Sequence, residues 1–201
     1  MNRILVVGED ALCCALGERL VESCLPGWML VAAPVDKAGI TKLIPDLPRY
    51  AKYSQSGQAA VLCIADTDRA CAKQLAEQWR PKHAPQEFLL RLAVTEAESW
   101  LLADRVSFAN YFDVPLNRIP VIPDEVADPT RLVLELAAKS KKKTIRNEVV
   151  RDKSATKAGA GYNLHLGAFV RDAWGIHNAA SISPSLARAV GRLQTLGAVH
   201  G

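Results

Sequence analysis

The chain has 201 residues, of which 49% are hydrophobic and 23% are charged, and its formal net charge is +4. This length and composition are typical of a globular protein with one full domain and an elaboration. No apolar run approaches the roughly 20 residues of a membrane span, and no charged-then-apolar leader opens the chain. We therefore expect a cytoplasmic protein that makes no contact with membranes.

The cysteine and histidine residues do not form the pattern of a zinc or disulfide site. The number of cysteines is odd and no C-x-x-C pair occurs, which argues against a zinc knuckle and a disulfide framework. The four histidines are scattered without a metal-binding spacing. We expect the cysteines to be buried free thiols; they are Cys13, Cys14, Cys24, Cys63 and Cys71.

Strand-like and helical patterns alternate along residues 1–113. Pro45 and Pro48 interrupt the region 39–53, so only short helical turns are expected there. Alternation of this kind predicts an α/β domain with a doubly wound, mostly parallel sheet and helices on both faces. The other expected elements are strands at 3–8, 28–35, 59–68 and 88–94, and helices at 11–24, 69–79 and 95–112.

The stretch 59–68, AAVLCIADTD, is central to the functional interpretation. Its unbroken apolar run is typical of a strand that is buried on both faces of a parallel sheet. Asp66 and Asp68 follow this run, and alternation along an extended chain would point both carboxylates to one side. Open α/β sheets bind ligands at this end of their strands, and two hard oxygen ligands suit Mg²⁺. The alternative is that one aspartate only caps the next helix.

Acidic pairs also follow two other predicted strands. Glu9 and Asp10 come after the first strand, and Glu96 and Glu98 come after the fourth. Six carboxylates at three strand ends would repel one another unless a cation lay between them. Clusters of this kind hold one or two Mg²⁺ ions, with Mn²⁺ as a substitute, and support phosphodiester cleavage.

Local helix signals give some of these acids a structural explanation. Acids in a first helical turn are favoured by the helix dipole, which accounts for Glu9 or Asp10. The sequence Thr95-Glu-Ala-Glu98 fits a capping box with Thr95 as the N-cap, which accounts for Glu98. Neither signal explains Glu96, so the acidic cluster stays a candidate metal site.

Residues 114–201 are expected to form a linker and a mainly helical, basic extension that packs on the first domain. Residues 116–129 have the composition of a linker, and Pro129 suits the first turn of a helix. Ser183 and Pro184 form a typical helix start, with serine as the N-cap. Helices are expected at 131–138, 163–174 and 183–196.

Positive charge is concentrated between residues 139 and 157. This segment has eight Lys or Arg residues and two acids, a net +6, so the rest of the chain sums to −2 because the total is +4. Concentrated basic charge beside a metal site indicates nucleic acid as the partner; the alternative is a solvated helix end and loop. Gly159 and Gly161 allow close approach to a phosphate, although a loop needs no ligand to contain glycine. The expected nucleic-acid contacts are Lys139, Lys141, Lys142, Lys143, Arg146 and Arg151.

These motifs resemble those of a known family. The strand–acid–helix opening and the strand that ends in D-x-D are similar to the Toprim domain of topoisomerases, bacterial primases and overcoming-lysogenization-defect nucleases. The run Glu96-Ala-Glu-Ser-Trp-Leu-Leu-Ala-Asp104 resembles the E-x-E-x-W-L-L-A-D signature of an uncharacterised bacterial Toprim-like family. Ser183-Pro-Ser-Leu186 resembles the closing motif of that family. The resemblance covers about residues 3–112 and this short tail.

The resemblance implies roles for the acidic residues and a biological setting. Asp66 and Asp68 would bind Mg²⁺, and Glu9 would be the general base or a metal ligand. Glu96 and Glu98 would complete a second metal position. The resemblance further implies a nuclease, with DNA favoured over RNA, that works beside an ABC- or SMC-like ATPase in a presumed phage-defence system.

One position departs from the Toprim pattern. The typical Toprim glutamate directly precedes the glycine, and Val7 stands at that position before Gly8. Glu9 lies two residues later, at the expected helix start. A catalytically degenerate module that binds nucleic acid or an ATPase without cleavage is therefore the alternative hypothesis.

Other α/β classes fit the sequence less well. A phosphoacceptor receiver domain needs a lysine after a fifth strand, and residues 121–124 contain none. A haloacid-dehalogenase-type phosphatase needs Thr or Val where Ala70 stands, and carries its D-x-D on the first strand. The glycine pattern matches neither a Rossmann fingerprint nor a P-loop.

Overall fold

A five-stranded parallel sheet forms the centre of the fold. The computed structural model describes residues 2–152 and 154–200. The strands are β1 (Arg3–Gly8), β2 (Met29–Leu30), β3 (Val35–Asp36), β4 (Ala60–Asp66) and β5 (Phe88–Ala93). The helices are α1 (Ala11–Cys24), α2 (Ile40–Gln55), α3 (Ala72–Trp79), α4 (Ala97–Ala103), α5 (Arg105–Phe112), α6 (Pro129–Ala137), α7 (Lys143–Glu148), α8 (Tyr162–Asp172), α9 (Ile176–Ile182) and α10 (Pro184–His200).

The strand order confirms the predicted α/β architecture. The order is β2-β1-β4-β5, and β3 pairs with the end of β1 on the same side as β2. Every pair is parallel. The run at 28–35 was expected to be one strand, but it forms two short ones because the chain leaves the sheet between Leu30 and Val35.

Each face of the sheet is covered by helices. On one face, alternate residues of β4 such as Leu62 and Ile64 belong to a hydrophobic cluster with α1, α4, α5, α6, α8 and α10. On the other face, Val61 and Cys63 belong to a second cluster with α2 and α3. The sheet is therefore doubly wound, and helices of the C-terminal part of the chain share a core with the sheet. Within residues 2–152 and 154–200, no helix is long and apolar enough to cross a membrane.

Helix α2 is longer than the sequence predicted. It continues for 16 residues through Pro45 and Pro48, so the expectation of short helical turns is wrong. Both prolines are exposed, whereas Leu43 and Leu47 are fully buried against the sheet. Burial of this apolar face stabilises the helix enough to offset the missing backbone hydrogen bonds.

The helix predicted at 95–112 is divided into α4 and α5 at Asp104. The Oδ1 atom of Asp104 accepts a hydrogen bond from the Ser107 N–H (3.4 Å), and Oδ2 accepts one from the Gly175 N–H (2.7 Å). The carboxylate therefore caps α5 and also binds the turn before α9. Helical periodicity continues across the break, which is why the sequence predicted a single helix.

The capping box predicted for this helix does not form. Glu96 is the N-cap of α4, and the Thr95 hydroxyl donates to the Val126 carbonyl (3.0 Å). Glu98 accepts a hydrogen bond from Tyr162 instead (2.7 Å). Long-range partners have replaced the local pair.

Several smaller features of the second half differ from expectation or confirm it. The linker contains two 3-10 turns, Leu116–Arg118 and Pro123–Glu125, and α7 and α9 were not predicted. Pro129 begins α6, and the Ser183 hydroxyl accepts from the Leu186 N–H at the start of α10, both as predicted. All five cysteines are free as expected, but Cys71 is exposed because it lies at the N-cap of α3.

Trp100 connects the E-x-E-x-W-L-L-A-D run at 96–104 with the closing motif at 183–186. Its indole N–H donates to the Ser185 hydroxyl (2.8 Å), and the Ser183 and Ser185 hydroxyls donate to Oδ2 of Asp124 (3.0 and 3.1 Å). The Trp174 indole donates to the Trp100 carbonyl (3.0 Å). Trp100 is fully buried. The tryptophan of the E-x-E-x-W-L-L-A-D run therefore has a structural role, which is to dock the last helix.

Replacing Trp100 by Phe should lower the free energy of unfolding by about 2 kcal/mol, because it removes a buried hydrogen bond and leaves a small cavity. Urea denaturation of the variant measures this change. The matched control is Trp79→Phe, at a partly buried position on α3, where we expect about 1 kcal/mol or less. A double-mutant cycle of Trp100→Phe with Ser185→Ala should give a non-zero coupling energy, and strict additivity would contradict the contact.

Candidate functional site

The predicted acidic residues lie at the carboxyl edge of the sheet. Glu9 follows β1, Asp66 ends β4, and Glu96 and Glu98 lie at the start of α4 after β5. The carboxyl ends of β1, β4 and β5 lie at one edge of the sheet because these three strands are adjacent and parallel. Glu9 Oε2 accepts a hydrogen bond from the Asp66 backbone N–H (3.1 Å), which joins the ends of β1 and β4 directly.

Asp66 contacts the starts of two helices. Its Oδ1 atom accepts a hydrogen bond from the N–H of Ala97, the first residue of α4 (2.8 Å). The same oxygen lies 4.0 Å from the Cys13 sulfur on α1. The unpaired N–H groups and dipole of a helix N-terminus stabilise a carboxylate, so these contacts hold Asp66 in position.

Burial and neighbouring carboxylates disfavour the ionised form of Asp66. They raise its pKa to about 9, with burial as the largest cause, followed by the charges of Glu98, Glu9 and Asp10. The Ala97 N–H acts in the opposite direction. At neutral pH the protonated form of Asp66 is therefore favoured when no cation is bound.

Glu98 and Glu9 are perturbed in the same direction. Glu98 is 6% exposed, and burial raises its pKa to about 7, with Asp10 and Glu96 adding to the effect and the Tyr162 hydroxyl opposing it. Burial raises the pKa of Glu9 as well, and Asp68 and Asp10 contribute. Glu9 and Glu98 thus both lie close enough to Asp66 to disfavour its ionised form.

Asp68 is placed differently from what strand alternation predicted. Strand β4 ends at Asp66, and Asp68 is an exposed turn residue with a φ of 46°. The expectation that extended alternation would align both carboxylates is therefore wrong, because the chain turns between them. Both aspartates interact electrostatically with Glu9. The charge of Asp68 raises the pKa of Glu9, and the charge of Glu9 raises the pKa of Asp66.

The remaining acids have clear structural partners. Asp10 is the N-cap of α1 and accepts from the Cys13 N–H (2.8 Å), as the helix-start signal predicted. Glu96 Oε2 accepts from the N–H of Thr130 in the first turn of α6 (2.8 Å). The sequence could not identify Thr130 as a partner of Glu96, since 34 residues separate them.

The donor set of this edge suits a hard cation. Carboxylate oxygens are the ligands that Mg²⁺ prefers, and proteins often supply only one or two of them while waters and phosphates supply the rest. Across residues 2–152 and 154–200, no three His, Cys, Asp or Glu side chains are grouped so that they could hold a metal ion. The larger set of Glu9, Asp66, Asp68, Glu96 and Glu98 therefore stays a prediction. One or two carboxylates from this edge would suffice for an ion whose other ligands are waters and phosphates.

The basic segment is partly used for packing. The Lys142 ammonium donates to the Tyr111 carbonyl (2.6 Å) and lies 5.4 Å from the centre of the Tyr111 ring. Arg146 donates to the Ser140 carbonyl. The other predicted contacts are exposed and free to meet a ligand; they are Lys139, Lys141, Lys143 and Arg151. Lys153, which contributes to the charge of this segment, lies outside the described residues.

The loop after the basic helix lies beside the acidic edge. The Tyr162 hydroxyl donates to Glu98, and Arg131 on α6 donates to the Ser154 carbonyl (3.1 Å). Tyr162 was not recognised as a site residue, because no local pattern marks a tyrosine that reaches a distant carboxylate. Packing explains Gly159: a Cβ there would lie 2.2 Å from the Glu148 carbonyl oxygen.

No family model matches this sequence, and neither the curated proteins nor the solved structures compared with it gave a match. The resemblance to Toprim-like proteins therefore stays a prediction that is based on the motifs.

Proposed function

We propose that this protein is a Mg²⁺-dependent phosphodiesterase that cleaves nucleic acid at the carboxyl edge of the sheet. The observation that carries the proposal is the cluster of Glu9, Asp66 and Glu98, whose pKa values are all raised. Structural acids are usually arranged to avoid such repulsion, whereas perturbed acids are concentrated at functional sites.

The chain would contribute to this reaction in three ways. Asp66 and Asp68 would hold the ion, one from a rigid strand end and the other from the turn that follows. Glu9, which accepts from the Asp66 N–H and is affected by the charge of Asp68, would accept the proton of the attacking water or would act as a ligand. Glu96 and Glu98 would complete a second position. The ion would supply charge stabilisation for the leaving oxygen and lower the pKa of bound water.

The substrate class is inferred from charge. The exposed lysines of the segment 139–157, which lead into the loop that reaches Glu98 through Tyr162, support a polyanion beside the acidic edge. We propose DNA before RNA, and an ABC- or SMC-like ATPase partner in a phage-defence setting. The resemblance to the Toprim-like family supports both of these finer proposals.

A non-cleaving module is the second candidate. Asp66, Glu96 and Asp10 each accept a hydrogen bond from the start of a helix, so each has a structural reason to be acidic. Val7, at the usual position of the Toprim glutamate, is fully buried in the sheet. These observations favour a protein that binds nucleic acid or an ATPase without cutting it.

Incubation of the protein with labelled single- and double-stranded DNA and RNA separates the two candidates. We expect cleavage with Mg²⁺ or Mn²⁺ and none with EDTA. Binding should be measured in parallel by fluorescence anisotropy over a salt series, since phosphate contacts make affinity fall with salt. Salt-dependent binding with no cleavage by any divalent ion would select the binding module instead. Lys141→Gln combined with Lys143→Gln should weaken binding without changing the metal preference.

A further inference from the structure

A second cationic surface lies away from the acidic edge, along β5. Strand β5 is the last strand in the sheet order, and a cleft of about 330 Å³ runs along it between α3 and α10. Arg91, Lys73 and Arg188 line this cleft, together with apolar residues such as Leu90 and Leu92. We call this surface the β5 groove. It contains none of the residues of the basic segment.

Arg91 is an unusual residue for the middle of a strand. It is the only half-buried residue in a strand whose other residues are buried, yet its Nε atom is inaccessible to solvent and has no hydrogen-bond partner within the described chain. Burial, followed by the charges of Arg192, Arg80 and Arg188, lowers its pKa to about 10. A partly buried guanidinium with other cations beside it is less favourable when no anion joins it.

Arg80 and Arg192 lie beside the β5 groove, close enough to Arg91 for their charges to lower its pKa, and each donates to a backbone carbonyl. Lys73 and Arg80 stand near the two ends of α3, which places them about 10 Å apart along the helix axis. Arg188 and Arg192 are four residues apart on α10, so they lie on one face of that helix. In the part of the chain that the structure describes, none of these residues or Arg91 forms a salt bridge.

The carboxylates on neighbouring elements leave this charge uncompensated. The Glu87 carboxylate lies 3.6 Å from the Nε2 atom of His200, and Asp124 accepts hydrogen bonds from the Ser183 and Ser185 hydroxyls. Glu77 is exposed on α3. Three cations that line the groove and two that lie beside it exceed what a single phosphate group would require.

We propose that the β5 groove binds the phosphodiester backbone of a single nucleic-acid strand. This inference deepens the proposed function, because it assigns a path to the polymer that the acidic edge would cut. Four of the five cations are arginines, whose planar guanidinium groups bind phosphate oxygens in pairs. An acidic peptide added as a strand is disfavoured, because Arg80 already occupies the outward Phe88 carbonyl (2.7 Å).

Anisotropy of a labelled 20-nucleotide single-stranded DNA in EDTA tests the proposal without requiring cleavage. The double variant Arg188→Gln/Arg192→Gln should bind at least about tenfold more weakly. Its plot of log affinity against log salt should be shallower by about 1.4, since each lost phosphate contact removes about 0.7 for a single strand. Arg118→Gln, an exposed arginine in a 3-10 turn on another surface, is the matched control and should change affinity less than about twofold.

Arg91→Met provides a second variant, which should weaken DNA binding without destabilising the fold. Without DNA, removal of a partly buried charge that forms no salt bridge in the described chain should leave the melting temperature unchanged or raise it. DNA should raise the melting temperature of the wild type but raise that of Arg91→Met much less.

Unchanged affinity and salt slope in the double variant would overturn the inference while leaving the proposed cleavage intact. Competition by polyglutamate but not by unlabelled DNA would also overturn it. Groove-dependent binding by a protein that never cleaves would support the inference and refute the proposed nuclease activity.

Discussion

Replacing Asp68 by Asn should reduce Mg²⁺-dependent cleavage of nucleic acid by about 10²–10³-fold. Loss of a carboxylate ligand removes several kcal/mol of transition-state stabilisation, and each 1.4 kcal/mol corresponds to a factor of ten. Asn tolerates the left-handed backbone at this position as well as Asp does, so the turn should be preserved. Because Asp68 is exposed, the variant should fold normally.

Asp66→Asn should reduce cleavage to a similar extent, because the amide oxygen can still accept the Ala97 N–H while the charge is lost. Initial rates of nicking of a supercoiled plasmid measure both variants. Asp128→Asn is the matched control: it removes an exposed carboxylate at the N-cap of α6, where Asn is an equally good cap. Retention of full activity by both Asp66→Asn and Asp68→Asn would refute the assignment of the metal site.

The metal-free protein should lose stability as the pH rises from about 4 to 9. The pKa of Asp66 is raised to about 9 and that of Glu98 to about 7, so the folded state holds protons that the unfolded state has released. Their favourable contribution is complete below the unfolded pKa values near 4, and it is lost as the pH rises through the folded values. Urea denaturation in EDTA at pH 5, 7 and 9 measures the slope.

Asp66→Asn should flatten this profile and stabilise the metal-free protein by an amount on the order of 4 kcal/mol at pH 8. Mg²⁺ should stabilise the wild type more at pH 8 than at pH 5, because an ion can bind only the deprotonated carboxylates. Asp128→Asn again serves as the control and should keep the wild-type slope. A wild-type stability that does not change with pH in EDTA would show that the acidic cluster is relaxed in solution.

The main elements of the fold could be predicted because their signals are local. The apolar run before Asp66 is typical of a buried strand, and the alternation of strands and helices favours a mostly parallel sheet. The length of helix α2 and the break at Asp104 were not predicted, because both depend on contacts between segments that are distant in the sequence. The first depends on an apolar face meeting the sheet, and the second depends on a hydrogen bond to Gly175, which is 71 residues away.

The candidate site also has some features that could be predicted from the sequence and others that could not. The convergence of Glu9 and Asp66 could be predicted because ends of adjacent parallel strands share an edge. The pairing of Glu98 with Tyr162 and the exposed turn at Asp68 could not, since neither follows from spacing along the chain. The β5 groove was also missed: Arg91 has no special context in the sequence, and its charge becomes unfavourable only when α3 and α10 bring other cations beside it.

The sequence by itself determined the class of fold, the strand ends that carry acids and the helix starts at Asp10, Pro129 and Pro184. These depend on periodicity and on the chemistry of residues that are close along the chain. Only the tertiary structure decided which carboxylates repel one another, which are held by helix starts, and which cations stand together without a counter-charge. Electrostatic energies depend on distance in space and on burial, and both arise when segments that are distant in the sequence pack together.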